Sequence, residues 1–310
     1  MTTIIANEIS CPVCRATDSS DLPQLPKDYE YQVAIAADFG IRICNACRSE
    51  FVWPRPTLDQ MRRMYPDNYY AYGTEMGSFW QLIYNMWCRA EAKRMLSLCR
   101  KRPLHLFDIG AGDCRRFKAM GAGEEFKFSG VEMNEEMAAA GCDAGFDISP
   151  GTFEEFDQTG RAGTVDVLTI NHVIEHVTDP GETMRKAHSL LADDGVFTGR
   201  TPKLASTGHR YFGRYWSGYH FPRHLQLFSK ESLELLLHKS GFREVEIVEE
   251  LNLFPALSLQ NFLLGKLGLP LSLEGGHSRI WTLLVFLTAP LSIFDYLFRR
   301  SDCMIFVARK

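Results

Sequence analysis

From Leu104 onward, short apolar runs alternate with longer stretches whose apolar residues recur every three or four positions. The runs at 104–109, 127–132, 146–148, 165–170 and 195–201 predict strands, and the stretches between them predict helices. Such alternation implies a parallel sheet covered by helices on both faces, with ligands met at the carboxyl ends of the strands. Upstream, residues 78–100 place Phe79, Leu82, Ile83, Met86, Trp87 and Ala90 on one helical face, which predicts an amphipathic helix with that stripe in the core. Before it, Thr57 is positioned to cap a short helix after the prolines of WPRP, and a tyrosine-rich loop follows. Farther on, Ser229 starts a helix whose leucines share a face and which Gly241 ends.

One segment breaks the alternation. About fifty residues separate EVEIV (244–248) from CMIFVAR (303–309), and within them IWTLLVFLTAPLSIF (280–294) is an uncharged run interrupted by Pro290. A membrane-spanning helix needs about 20 apolar residues, so this run is too short. The expected role is a helical cap over the site. A dimer surface, or an interfacial anchor with FRR (298–300) at the headgroup layer, are the other readings.

Composition narrows the class. With 310 residues, 45% of them apolar, the chain can build a substantial core. A net charge of −4 and the absence of any basic block exclude nucleic acid as an expected partner. The opening MTTIIANEIS lacks a basic stretch followed by a long apolar run, so a cytoplasmic protein is expected, with membrane-peripheral contact through 251–302 as the variant. Nine cysteines then read as thiols or metal ligands. Four form two C-x-x-C pairs, CPVC (Cys11, Cys14) and CNAC (Cys44, Cys47). Two such knuckles supply a tetrahedral thiolate set, so a structural Zn2+ in a zinc-ribbon-like module is expected.

The first strand of the α/β body ends in FDIGAGDC. Gly110 and Gly112 let the backbone approach a ligand where a Cβ would clash. Arg115 stands where a dinucleotide loop needs its third glycine, and no G-K-[ST] follows, so neither a pyrophosphate site nor a P-loop is indicated. Glu132 closes the next strand, 24 residues after Asp108, where a carboxylate can take a ribose diol. The pattern asks for an adenosine-like ligand without a diphosphate.

FDIGAGDC, GVEMN, VDVLTINHVIEHVTDP, LLADDGVFTGRTPK and RHLQLFSKESLELLLHKSGF together resemble, in order, class I S-adenosylmethionine-dependent methyltransferases. The branch with EHV-x-D-P and an N-terminal zinc-binding module is the most similar. The resemblance implies an α/β fold: a seven-stranded Rossmann-like doubly wound sheet, with 244–248 and 303–309 as its last two strands. It also implies that Asp108, Gly110 and Gly112 line the methionine part of S-adenosylmethionine and that Glu132 holds the ribose. By the same resemblance Thr152 and Phe153 flank the adenine, and Asn171 and His172 close over the sulfonium. Cys114 departs from the glycine of many relatives; its small side chain is expected to point away from the ligand.

The implied division is 1–55 zinc-ribbon-like module, 56–103 helical bridge or lid, 104–250 cofactor-binding domain, 251–302 apolar insertion and 303–310 final strand. For chemistry, YWSGYHFPRHLQLFS (215–229) offers His224 first and His220 second as general bases, with His172 at the cofactor; Arg223 could grip an anionic acceptor. HVIEH (172–176) also spells the H-x-x-E-H signature of a metallohydrolase, with both histidines on one helical face. The functional expectation is methyl transfer to a small-molecule, sugar- or lipid-linked acceptor, with a homodimer as the candidate assembly. The alternatives are a non-catalytic adenosyl-ligand or partner-binding module and, less favoured, the metallohydrolase.

Overall fold

The computed structural model describes residues 9–65, 78–99, 101–121, 123–269, 273–274 and 277–310. The expected tyrosine-rich loop lies outside them. The head holds β1 (Ser19–Asp21), β2 (Gly40–Cys44) and β3 (Glu50–Trp53), followed by α1 (Leu58–Arg63). Thr57 caps α1 in a reciprocal box with Gln60. A long helix, α2 (Ser78–Leu98), leads into the body.

The body runs β4 (Leu104–Ile109), α3 (Arg115–Met120), β5 (Phe126–Glu132), α4 (Glu135–Asp143), β6 (Asp147–Pro150), β7 (Val165–Asn171), α5 (Pro180–Leu190) and β8 (Leu191–Pro202). There follow α6 (Thr207–Phe212), β9 (Gln226–Leu227), α7 (Lys230–Lys239) and β10 (Glu244–Glu250). The chain closes with α8 (Phe254–Gly265), the two-residue strands β11 (Leu273–Glu274) and β12 (His277–Ser278), α9 (Trp281–Leu297) and β13 (Cys303–Arg309).

Seven strands form one sheet in the order β10-β13-β8-β7-β4-β5-β6. β4 through β8 pair in parallel, whereas β13 lies antiparallel between β8 and β10. Alternation along β4 sorts its two faces. Leu104 and Leu106 join Cys88, Ala92 and Met95 of α2 and Phe117 of α3, while Phe107 and Ile109 join Met184 of α5 and Leu233 of α7. Ligand-facing loops gather at the carboxyl ends of β4, β5 and β7.

The head is joined to this core. β9 extends its sheet in the order β1-β2-β3-β9, pairing Glu50 with Leu227 and Phe51 with Gln226. Cys11, Cys44 and Phe51 belong to the same buried cluster as the α5 and α7 face.

Helix α2 corrects one expectation. Its apolar stripe faces solvent, with Met86 60% and Leu82 57% exposed, and the buried face is Cys88, Ala92 and Met95. The ion pairs of Glu91 fix this rotation: its carboxylate reaches Arg116 and Arg200, both on the sheet side of the helix.

Candidate functional site

The loop after β4 is built from left-handed backbone. Gly110, Gly112 and Cys114 have φ of 79, 58 and 59°. A Cβ on Gly110 would stand 2.6 Å from Val173 Cγ2, so the first glycine is required by packing as well as by φ. A Cβ on Gly112 would meet nothing within 4 Å; the space before it is open, as a cradle for a ligand must be. Cys114 adopts the conformation a third glycine would take, at a cost of about 1–2 kcal/mol for a side chain. It is fully buried, with its Sγ packed toward Gly141 of α4 rather than the open side of the loop.

Glu132, at the end of β5, holds the loop from below. Its Oε2 accepts from Gly112 N at 2.8 Å and its Oε1 from Asn134 N at 2.9 Å. Asp108 sits deeper than a ligand contact would require. It is buried, accepts from Arg116 Nη1 at 2.9 Å and accepts the Thr169 hydroxyl hydrogen. Arg116 continues to Glu91 at 2.9 Å, and Glu91 to Arg200 at 2.7 Å. Arg200 in turn pairs with Glu250, donates to Asn171 Oδ1 and stacks on Trp87. Burial works against the charge of Glu91, but the two guanidiniums hold its carboxyl below the usual range. Within this network, among the described residues, Asn171 Nδ2 and an Arg116 terminal nitrogen are buried donors with no partner. They suit the carboxylate end of an amino-acid ligand, and with the open cradle they fit S-adenosylmethionine.

Of the adenine pair, Thr152 bonds Glu155 beside a cavity of about 340 Å³ that also takes in Ser149 and Gly151. Phe153 does not reach the mouth. Its ring is 3% exposed and packs with Phe107 and Phe156, because this segment turns its aromatics into the sheet.

Beyond β7, HVIEH forms a turn rather than a helix, with His172 left-handed at φ 54°. The hydrolase reading is thereby corrected: the turn does not place His172 and His176 on one helical face, and although His172 Nδ1 lies 3.3 Å from Glu175, the two histidines fall in different candidate ligand sets. His172 stands near Glu250 and Cys303, whereas Glu175 and His176 meet His224. Glu175 is fully buried, and burial pushes its carboxyl up. The His172 hydrogen bond, the charge on His172, and then His224 and His176 outweigh this and hold it at about 2. His176 Nδ1 lies 2.9 Å from Arg223 O, and His224 Nδ1 lies 2.7 Å from Gly218 O. A carbonyl can only accept, so both Nδ1 atoms carry hydrogen and both Nε2 atoms are acceptors in the neutral rings. Burial lowers both histidines, His224 well below its ordinary 6.5.

The other two candidates of this patch are spoken for. His220 Nε2 accepts from Arg223 Nε at 2.9 Å and its Nδ1 pairs with Glu30 at 2.9 Å, so neither nitrogen is available as a base. Arg223, 1% exposed, is bidentate to Asp28 and lies on the Tyr31 ring, which takes it away from an acceptor anion. Asp28, Glu30 and Tyr31 come from the head, and Tyr65 reaches His176 at 3.0 Å. Sequence reasoning does not find these four, nor Glu91 and Arg116. The signal available is only that Glu91 interrupts a helix face otherwise suited to the core.

In the head, the four cysteine sulfurs lie within 4.8 Å of one another. Cys11–Cys47 is 3.7 Å and Cys14–Cys44 is 3.5 Å, near the edge of about 3.8 Å that a tetrahedron with 2.3 Å Zn–S bonds requires. Disulfides would need about 2.05 Å. The donor set therefore suits Zn2+ in a closed, structural site.

Residues 82–247 match the sequence profile of a family described as methyltransferase domain. A ubiquinone biosynthesis O-methyltransferase of a Caulobacter species is 34% identical over 125 residues, which is 36% of this chain and 49% of that protein. The protein of the same description from Caulobacter vibrioides is 32% identical over 145 residues, 40% of this chain and 57% of the relative. The matches thus span about half the length of these curated relatives. Among solved structures, a methyltransferase of Thermotoga maritima described as a possible histamine N-methyltransferase is 19% identical with a TM-score of 0.47. The alignment covers 74% of this chain and 92% of that one. A methyltransferase from Archaeoglobus fulgidus has the same identity and TM-score and covers 73% and 94%.

Proposed function

The chain belongs to the methyltransferase-domain family, and from that premise we propose that it transfers a methyl group from S-adenosylmethionine to a hydroxyl oxygen of a small or lipid-linked acceptor. The observation that carries the choice of oxygen is the trio Glu175, His176 and His224 beyond β7, whose acceptor atoms lie within 4.8 Å of one another. A sulfonium methyl needs no activation, so the protein contributes positioning, which can be worth roughly 7–11 kcal/mol. A hydroxyl acceptor also has to lose its proton near the transition state. His224 is suited to take that proton, because its tautomer is fixed by Gly218 O and its Nε2 faces Glu175 Oε1 at 3.9 Å. An imidazolium formed there would be stabilised by the Glu175 carboxylate. The name borne by the two Caulobacter relatives agrees with O-methylation.

The three acceptor atoms also make a nitrogen and oxygen set suited to a divalent cation, which when bound would polarise an acceptor oxygen. Two readings of the same trio, proton acceptor and cation ligand, both direct it at an oxygen nucleophile.

The test is turnover with a panel of catechols and other hydroxylated aromatics, with the product identified by mass spectrometry. His224→Gln should lower kcat by roughly a hundredfold while S-adenosylhomocysteine still binds. An unchanged kcat, or methyl found only on nitrogen or carbon, would overturn the assignment. Binding without turnover on any acceptor would favour a ligand-binding module.

A further inference from the structure

Helix α9 is built inside out. Its buried positions are Leu284, Val285, Thr288, Ser292 and Asp295, while Leu283, Phe286, Leu287, Ile293, Phe294 and Leu297 point outward. Phe286 is 64% and Leu297 69% exposed. A helix on a water-facing surface shows the reverse pattern. Helix α8 repeats the inversion, burying Ser258, Gln260 and Asn261 while its leucines are partly exposed. So does α2, with Leu82, Ile83, Met86 and Trp87 outward. The three helices meet: α8 and α9 share a small core of Ala256, Leu284 and Val285, against which Trp80 of α2 packs.

We infer that this surface docks, without spanning, onto an anionic lipid bilayer. Charge selects that occupant. Lys266 follows α8, Arg279 precedes α9, and Arg299 and Arg300 follow it, all with exposed side chains. The one acid within α8 or α9 is Asp295, which is buried. An apolar face bounded at both ends by cations is the arrangement of a helix lying in the headgroup plane. Among the described residues no helix is long and apolar enough to cross a membrane, which agrees with interfacial seating. The surface begins beside the site, because the Phe254 ring that opens α8 lies 6.2 Å from His172.

The experiment is sedimentation of the full chain with sucrose-loaded vesicles, compared with a spin without vesicles. Vesicles of phosphatidylcholine mixed with phosphatidylglycerol should carry the protein down; phosphatidylcholine alone should hold it about tenfold less well. The triple variant Phe286→Gln, Leu287→Gln, Phe294→Gln should lose at least about tenfold in partitioning with its melting temperature unchanged, since all three residues are exposed. Arg299→Glu with Arg300→Glu should abolish the preference for anionic lipid. Wild type left in the supernatant with mixed vesicles would overturn the inference, as would equal binding by the triple variant. So would a wild-type dimer in light scattering that ignores vesicles and that the triple variant dissolves, because a second copy would then be the occupant.

Discussion

Replacing Arg116 with methionine is expected to destabilise the fold by about 3–5 kcal/mol, the usual effect of removing one partner from a buried charge cluster. Asp108, Glu91 and Glu250 are three carboxylates and Arg116 and Arg200 the two guanidiniums that join them. Without Arg116, the buried Asp108 keeps the Thr169 hydroxyl as its one side-chain partner among the described residues, and Glu91 loses one of its two arginines. Methionine preserves much of the side-chain volume, so the loss is chiefly electrostatic. Denaturant melts read it directly. The double variant Arg116→Met, Asp108→Asn should recover a large part of the loss, because the stranded carboxylate is then neutral. An Arg116→Met protein as stable as wild type would mean that the cluster does not hold the loop. The same cluster ties α2 to the cofactor cradle, so the single variant should also weaken S-adenosylhomocysteine binding.

The second large effect is expected in the head. Wild-type protein should carry about one zinc on its four thiolates, and Cys44→Ser should lose it. Apparent metal contributions to small zinc modules are about 10–16 kcal/mol, so the head should not fold without the ion. The damage should spread. β3 pairs with β9 on one side, and Asp28 holds Arg223 on the other, so the His220–His224 patch loses two supports. Metal analysis together with a turnover assay reads both levels. Full zinc content in Cys44→Ser, or a metal-free wild type with an unchanged melt, would contradict a structural zinc site.

How much of this is legible in the sequence depends on the range of the interaction. Strand and helix positions follow local periodicity: the strand expected at 104–109 matches to the residue, while 195–201 grows to Leu191–Pro202. The glycine loop and Glu132 are legible because backbone φ and strand ends are local matters. Cys114 points away from the cradle as expected, since a small thiol can occupy the left-handed position once Gly141 leaves room for it. The α2 stripe is misplaced by periodicity because apolar spacing identifies a face but not what it faces. There the arginine pairs of Glu91 decide the rotation, and both partners are distant in sequence. Arg223 and His220 look free in the sequence for the same reason: Asp28 and Glu30 lie some two hundred positions earlier. The H-x-x-E-H spacing implies a helix, yet His172 takes a left-handed turn that no spacing rule reveals.

The measurement that bears most directly on the central claim is calorimetric titration of S-adenosylhomocysteine into wild type and Glu132→Ala. Glu132 is the better probe than Asp108, since its substitution leaves the buried charge cluster intact. The expected result is binding in the micromolar range by the wild type and at least about a tenfold loss in the variant, since the charge-assisted hydrogen bonds from Gly112 N in the loop and from Asn134 N at the start of α4 disappear, along with the ribose contact that the resemblance implies. A folded wild type that gives no heat, or a variant that binds equally well, would contradict an S-adenosylmethionine site at the Gly110–Gly112 cradle.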